Sequence, residues 1–345
     1  MGEMDTFVIP DERVGLELDE FLCLQYPGLS KGFLRQEIGA GRVLVDGAPT
    51  MAGRRLRSSQ VVMATIDWER APKRPESPGI EVPVLFENDS ILIVNKPAGL
   101  AVEPERWMRE LGSLAGALLQ LAVDRTEEQK GSMDSGLAFR PRLVHRIDKD
   151  TTGAVLVAKD VEAERALRAA FGDGTIKKTY LAVVEGEPYL DDGEELIIDE
   201  PIGPVLKKSG RMRIAPDGKP SQTRYKIAER FDGYTLLSAE PITGRTHQIR
   251  VHMAHEGFPL VVDAFYGRRN EFKLSEFKPG YRPKRGMPEK PLIDRLTLHA
   301  HELELAPKLA EALGLPAGEA FRLVAPIPKD LERLLKQLRK VRPPR

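Results

Sequence analysis

The string RLVHRIDKDTTG, residues 142–153, decides how this 345-residue chain is interpreted. A short apolar strand leads into His145-Arg146-Ile147-Asp148, and a Thr-Thr-Gly turn then leads into a second apolar stretch. An aspartate on such a loop, next to an arginine, is well placed to act as a nucleophile or a base. An isolated aspartate more often caps a turn. The pattern H-R-x-D-x-x-T-x-G fixes five residue types, however, and a chance match is on the order of one in a few million per position.

Composition indicates an ordinary globular protein, because 52 Lys+Arg balance 52 Asp+Glu and 41% of the residues are hydrophobic. This excludes a mostly disordered chain, and the length suggests about two domains. The single Cys23 excludes an internal disulfide and a Cys-rich zinc cluster, and it fits a reducing compartment. The sequence shows no secretory signal and no apolar run long enough to span a bilayer. We therefore expect a cytoplasmic protein with no membrane partner.

Residues 12–67 predict a compact N-terminal module in the order helix, helix, strand, hairpin, strand. Ser30 is a plausible cap for a helix that ends in glycines, and Val43 and Val45 alternate before an Asp-Gly turn. The Pro-rich, charged stretch 69–83 predicts a linker.

Beyond the linker, strands and helices are mixed, and few strands are followed by a long helix. This pattern favours an α+β fold with a mixed, mostly antiparallel sheet over a doubly wound parallel one. Residues 268–290 contain Pro, Gly and many basic residues and predict a long surface loop. The expected segments are an N-terminal module with the start of the linker at 1–75, a catalytic domain at 84–326 and a basic C-terminal helix and tail at 327–345.

The first string resembles the catalytic loop of the RluA family of RNA pseudouridine synthases. Further strings agree in the right order: VNKPAGL (94–100) resembles the family's strand-and-turn signature, KKTYLA (177–182) its tyrosine strand, TGRTHQIRVH (243–252) its arginine motif and, more weakly, LHA (298–300) a later strand. The resemblance covers approximately residues 84–326. It implies the pseudouridine synthase fold, in which helices flank the sheet and the site lies in a central cleft.

The N-terminal module resembles the small S4-type α/β RNA-binding domain that often precedes this catalytic domain, chiefly through GLSKGFLRQEIGAGRVLVDG (28–47). Departures from the family pattern are small. Ile147 stands where leucine is usual, Thr152 where serine is usual, and Glu103 where a histidine is common. None of them removes a group that the chemistry needs.

The resemblance implies conversion of uridine into pseudouridine. This reaction breaks the bond from the base nitrogen to the anomeric carbon, rotates the uracil and bonds its carbon 5 to the same sugar carbon. It is redox-neutral and needs no energy input, and neither G-x-x-x-x-G-K-[ST] nor G-x-G-x-x-G occurs in the chain. We therefore expect no cofactor. The five histidines from His247 to His301 form no H-E-x-x-H motif, and we expect no metal.

Four residues match the family's catalytic positions. Asp148 would attack the anomeric carbon or stabilise its developing charge, as carboxylates do in retaining glycosidases. Arg250 would be its ion partner, with Arg245 as the second candidate. Tyr180 would be the platform for the flipped-out base, the alternative being a core tyrosine. Arg146 would fill the gap that the flipped base leaves in the RNA stack.

Local basic clusters offer candidate phosphate contacts, although the formal net charge is zero. The expected RNA-binding residues are Lys31, Arg35, Arg42, Lys96, Lys178 and Arg245. The alternative is that such clusters are solvated faces.

The sequence thus predicts a monomeric RNA pseudouridine synthase. The N-terminal module favours ribosomal RNA, above all of the large subunit, by association, and transfer RNA is the alternative within the class. A second class is a non-catalytic RNA-binding or ribosome-assembly protein on the same fold. A third class, a small-molecule lyase or glycosidase, would need a second carboxylate, and Asp150 points elsewhere if the loop is extended.

Overall fold

The computed structural model describes residues 4–71, 79–103, 112–128, 137–191, 193–205, 210–282 and 287–344. The chain divides into two compact units, Met1–Glu81 with Glu103–Arg142 and Val82–Val102 with Leu143–Arg345. The units therefore interleave along the sequence, whereas the expected segments follow one another. A functional division at 1–75, 84–326 and 327–345 stays a prediction, and residues 72–78 of the expected linker lie outside the described residues.

The first unit contains a small antiparallel sheet with helices. Its elements are β1 (Met4–Val8), a 3-10 turn (Asp11–Arg13), α1 (Leu18–Gln25), α2 (Lys31–Gly39), β2 (Val43–Val45), β3 (Ala48–Pro49), β4 (Val61–Thr65) and α3 (Leu114–Glu128). The sheet order is β1-β4-β2-β3. Ser30 starts α2, since its side chain accepts the Phe33 N–H at 3.2 Å. Asp46 and Gly47 both have positive φ, the conformation of a tight hairpin between β2 and β3.

The second unit is built on a ten-stranded sheet. Its elements are β5 (Val84–Glu87), β6 (Ile91–Lys96), β7 (Arg142–Leu143, at the unit boundary), β8 (Thr152–Ala158), α4 (Val161–Asp173), β9 (Ile176–Glu185), β10 (Leu196–Asp199), β11 (Ile202–Pro204), β12 (Met212–Ile214), β13 (Gln222–Phe231), β14 (Tyr234–Pro241), α5 (Gln248–His255), a 3-10 turn (Leu274–Glu276), β15 (Leu298–Leu305), α6 (Pro307–Ala312), β16 (Phe321–Val324) and α7 (Lys329–Val341). The main order is β10-β13-β14-β9-β15-β8-β6-β5, with β16 beside β15 and β7 beside β8, while β11 and β12 form a separate pair.

Along the main order of the large sheet, the β8–β15 pair is parallel and the other pairs are antiparallel. This confirms the predicted mixed, mostly antiparallel α+β fold. The parallel pair joins strands almost 150 residues apart in the sequence, His299 opposite Thr152 and Ala300 opposite Gly153. It brings β15 directly against the end of the 142–153 string.

Helices cover the sheet with apolar faces. On α4, Asp160 accepts the Ala163 N–H at 2.7 Å, and the helix ends at the left-handed Gly174. The buried leucines of α7 follow helical spacing and belong to one core cluster: Leu331, Leu334, Leu335 and Leu338. Within the described ranges, no helix is both long and apolar enough to cross a membrane.

The segment 268–290 is not simply the surface loop that its composition predicts. Phe272 and Phe277 are fully buried, and their rings stack with centroids 5.0 Å apart. Two isolated aromatic residues among charges have no periodicity that marks them as core, so the sequence did not identify them. Residues 283–286 of this segment lie outside the described part of the chain.

A buried carboxylate in the first unit ties α1 to the segment that ends at Arg142. The Glu20 side chain is only 7% exposed, accepts hydrogen bonds from Lys31 and Arg142, and lies 3.6 Å from Arg140. Burial raises the pKa of Glu20, but the hydrogen bonds from Arg142 and Lys31 lower it further, to about 2. The carboxylate therefore stays ionised in the folded protein.

We predict that Glu20→Gln destabilises the protein by about 3 kcal/mol at neutral pH, because it leaves buried cations without their anion. The folded-state pKa is depressed, so this stabilisation is complete above pH 4.5 and is lost as the pH falls towards about 2. The measurement is denaturant unfolding of wild type and variant at pH 7, 5 and 3. The exposed Glu12→Gln is the control, and a pH-independent difference would contradict the prediction.

Candidate active site

The loop that carries Asp148 is attached to the sheet by His145. The His145 Nε2 accepts the Leu156 N–H of β8 at 2.8 Å, and its ring lies 4.6 Å from that of Phe171. Burial lowers the pKa of His145 to about 3. The ring is therefore neutral and keeps the acceptor nitrogen that the β8 amide requires.

Lys96 connects the turn at the end of β6, residues 95–99 (NKPAG), to the loop that carries Asp148. Its fully buried ammonium donates to the carbonyls of Pro97 at 2.8 Å, Leu100 at 2.8 Å and Lys149 at 2.7 Å. Burial lowers its pKa to about 7. The expectation that Lys96 contacts RNA phosphates does not fit this position, since the side chain is fully buried and its ammonium is occupied by three backbone carbonyls.

Gly153 allows the loop to join β8 next to β15. Its φ is +114°, and a Cβ there would lie 2.1 Å from the Ala300 carbonyl oxygen. Beside it, the Thr152 hydroxyl and His299 Nδ1 are 2.9 Å apart. The weak LHA string is thus the partner strand of the loop's last residues, which explains why glycine ends the 142–153 string.

One buried arginine lies between two carboxylates. Arg250, on α5, donates from Nη1 to Asp148 Oδ2 at 2.9 Å. Its Nε and Nη2 donate to Asp263 Oδ2 at 2.7 Å and Oδ1 at 2.8 Å. The backbone N–H groups of Phe265 and Tyr266 also donate to Asp263 Oδ1. Arg250, rather than Arg245, is therefore the contact of Asp148.

The charges in this arrangement are stable. Burial lowers the pKa of Arg250, but its hydrogen bonds to Asp263 and the charge of Asp148 raise that pKa well above its ordinary value. Burial raises the pKa of Asp263, but the hydrogen bonds and the charge of Arg250 outweigh this effect, so the net result is a pKa below the ordinary value. Asp263 accepts from Arg250 through both of its carboxylate oxygens, whereas Asp148 accepts through Oδ2.

A cleft of about 420 Å³ opens beside Asp148. It is bounded by the loop that carries Asp148, by β9, by the C-terminal end of β14 and by the 243–250 segment. Besides Arg250, three expected cations line it: Arg146, Lys178 and Arg245. Arg146 and Arg245 are exposed, and the Arg245 Nε donates to the Pro220 carbonyl at 3.1 Å.

Tyr180 lines the same cleft from β9 and is 8% exposed. Burial, and then the charge of Asp148, raises the pKa of its phenol, so the hydroxyl remains protonated. Lys178, two residues earlier, is half-buried with its ammonium 5.7 Å from the Phe171 ring centre. Burial lowers the pKa of Lys178 as well.

The expected RNA-binding residues of the first unit all have acidic partners. Lys31 contacts Glu20 and Asp19, Arg35 donates to Asp19 at 2.6 Å, and Arg42 donates to Glu37 at 2.6 Å. The Arg35 side chain is 55% exposed, the most open of the three. A phosphate would have to share these cations with carboxylates.

The sequence does not identify Asp263 and Tyr266 as residues of the site, and it does not indicate that His247 lies beside Asp148. Asp263 and Tyr266 belong to the string VDAFYG (262–267), which follows an apolar run and has no spacing that indicates an arginine partner. Across the residues that the structure describes, no group of three or more His, Cys, Asp or Glu side chains could hold a metal ion.

Comparisons with known proteins identify the family of the chain. Residues 90–255 match the model of the RNA pseudouridylate synthase family. Ribosomal large subunit pseudouridine synthase D of Xanthomonas campestris is 34% identical over 96% of this chain and 92% of that protein. Ribosomal large subunit pseudouridine synthase C of Haemophilus ducreyi is 31% identical over 98% of this chain and 97% of that protein.

The chain therefore belongs to the RNA pseudouridine synthase family, whose enzymes isomerise uridine to pseudouridine in RNA. A solved structure, human RNA pseudouridylate synthase domain containing 4, has a TM-score of 0.55 at 24% identity, covering 74% of this chain and 93% of that one. This likeness supports the fold. The predicted fold class and enzyme class are confirmed.

We predict that Asp263→Asn lowers the rate of pseudouridine formation by about 10- to 100-fold, because Arg250 loses the anion that orients its guanidinium. RNA affinity should stay within about threefold, since Asp263 is buried. Single-turnover rates and RNA binding are to be measured on the same preparations. The exposed Asp217→Asn is the matched control, and an unchanged rate in Asp263→Asn would contradict the positioning role.

Proposed function

We propose that this pseudouridine synthase modifies uridine in large-subunit ribosomal RNA, with Asp148 as its catalytic carboxylate. The observation that carries the role of Asp148 is its geometry: Oδ2 is held by Arg250, and the side chain lines the cleft. The ribosomal target is supported by the relatives named large-subunit pseudouridine synthases, which align over almost their whole length.

In this proposal the target nucleotide is flipped into the cleft, because a base stacked in folded RNA cannot reach a carboxylate that lines a cleft. Asp148 attacks the anomeric carbon or stabilises its positive charge while the bond to the base nitrogen breaks. The uracil rotates, and carbon 5 bonds to the anomeric carbon; if Asp148 has formed an ester there, that ester bond breaks and the carboxylate is released. Carbon 5 then loses its proton, and the former glycosidic nitrogen gains one. Arg250 keeps Asp148 oriented throughout, and Asp263 keeps Arg250 oriented.

The remaining residues of the cleft bind the RNA. Tyr180 stacks on the flipped uracil, and the exposed guanidinium of Arg146 occupies the gap in the RNA stack. Arg245 and Lys178 contact phosphates near the target nucleotide.

The first unit is proposed to bind RNA as an S4-type module, with Arg35 as its most accessible expected cation. Its acidic partner Asp19 is fully buried, which leaves the exposed edge of the guanidinium for a phosphate. We further propose that the enzyme acts as a monomer in the cytoplasm, without a membrane partner.

The test is to map pseudouridines in total RNA from cells that lack the protein and from the same cells supplied with wild type or Asp148→Asn. We predict that at least one uridine in large-subunit ribosomal RNA is modified in cells supplied with the wild type but not in cells supplied with Asp148→Asn. Asp148→Asn should bind RNA within about tenfold of wild type, or about 1.4 kcal/mol.

Asp150→Asn, on the same loop and exposed, is the matched control and should restore modification. Restoration by Asp148→Asn would contradict the catalytic role of Asp148. Dependence confined to transfer RNA would overturn the ribosomal target but would leave the enzyme class intact.

For the base platform, we predict that Tyr180→Phe retains RNA binding, whereas Tyr180→Ala loses stacking worth about 1–3 kcal/mol. The measurement is RNA affinity and single-turnover rate for both variants, with thermal unfolding to check that the β9 strand is intact. Wild-type activity in Tyr180→Ala would mean that this tyrosine only fills space.

A further inference from the structure

His247 has an unusual backbone conformation next to the catalytic loop. It is the residue before α5 and adopts left-handed angles, φ 56° and ψ 22°. Such angles are uncommon for a residue other than glycine and often mark functional positions. Its ring lines the cleft, with Nε2 3.9 Å from Asp148 Oδ1 and Nδ1 2.8 Å from the Tyr266 hydroxyl.

The contacts of Tyr266 and Asp148 favour the tautomer of His247 that carries its proton on Nε2. The Tyr266 oxygen accepts the Met212 N–H at 2.8 Å, so its own proton is available to His247 Nδ1. A ring that accepts at Nδ1 carries its proton on Nε2. The opposite tautomer would direct the Nε2 lone pair towards the Asp148 carboxylate, which is electrostatically unfavourable. Burial lowers the pKa of His247, which favours the neutral ring at neutral pH.

A donor and an acceptor therefore face each other across a short gap. The His247 Nε2–H and Asp148 Oδ1 are too far apart, at 3.9 Å, to bond to each other. An oxygen atom about 2.8 Å from each would bridge them. That atom must accept from His247 and donate to Asp148, and a hydroxyl group does both. The uracil oxygens only accept and its N–H groups only donate, so the base does not supply such an atom.

We propose that His247 and Asp148 together bind the ribose 2′-hydroxyl of the target nucleotide, and that this slot makes the enzyme select ribose over deoxyribose at that position. The 2′-carbon is bonded to the anomeric carbon at which Asp148 acts, so the hydroxyl lies close to the reacting bond. Tyr266 is a positioning residue, because it sets the tautomer of His247. The inference rests on the proposed role of Asp148.

The experiment compares two synthetic RNA fragments that contain the mapped uridine with either ribose or 2′-deoxyribose at that nucleotide. Single-turnover rates of the full-length enzyme should favour ribose by about tenfold or more. His247→Asn, which tolerates the left-handed backbone, should lower the ribose rate by about tenfold and leave the deoxyribose rate within about twofold. Tyr266→Phe should change the ratio in the same direction without touching the backbone at His247.

Matched controls are His255→Asn, exposed at the end of the same helix, and the fully exposed Tyr189→Phe. Both should keep the wild-type ratio. Equal losses on the two fragments in His247→Asn and Tyr266→Phe would overturn the slot, as would a wild-type enzyme that converts both fragments equally. Wild-type conversion of the ribose fragment tests the proposed function, whereas the ratio tests the slot, so the two can fail separately.

Discussion

The site depends on one guanidinium that is shared by two carboxylates. Asp263 takes the Nε and Nη2 donors of Arg250 in a bidentate pair, and this leaves Nη1 directed at Asp148. Removing one partner from a buried ion pair leaves an uncompensated charge, which is strongly destabilising. The three side chains are therefore fixed relative to one another, and Asp148 lines the cleft while its Oδ2 accepts a hydrogen bond from Arg250.

Around this charge cluster, the loop that carries Asp148 is anchored at several points. On the N-terminal side of Asp148, His145 accepts a hydrogen bond from a backbone N–H of β8. On its C-terminal side, the Lys149 carbonyl accepts from Lys96, and Gly153 allows close contact with Ala300. Each anchor uses a group suited to burial: a neutral imidazole, an ammonium satisfied by three carbonyls and a glycine without a Cβ. A carboxylate on a loop fixed in this way needs little reorganisation when the substrate arrives.

Electrostatic pairing changes the meaning of the basic clusters. Counted along the sequence, Lys31, Arg35 and Arg42 suggest a phosphate-binding face. In the folded first unit these cations contact the carboxylates of Asp19, Glu20 and Glu37. A count of basic residues along the sequence does not include such acidic partners. Similarly, Lys96 is a cation in a family motif, yet it is buried against backbone carbonyls. Basic residues are candidates for RNA only where folding leaves part of their charge exposed, as it does for Arg146 and Arg245.

Local strings are enough to predict the enzyme class, the α+β fold class, and Asp148, Arg250 and Tyr180 as candidates, because each candidate lies in a short string with its own spacing. The partners of these residues follow from the packing of distant segments. Asp148 and Arg250 are 102 residues apart, and Asp263 has no local pattern that predicts its contact. The gap between His247 and Asp148 likewise exists only once β12, α5 and the loops beside them are packed together. Local strings record what each segment can do, whereas long-range distances and burial follow from how the segments pack.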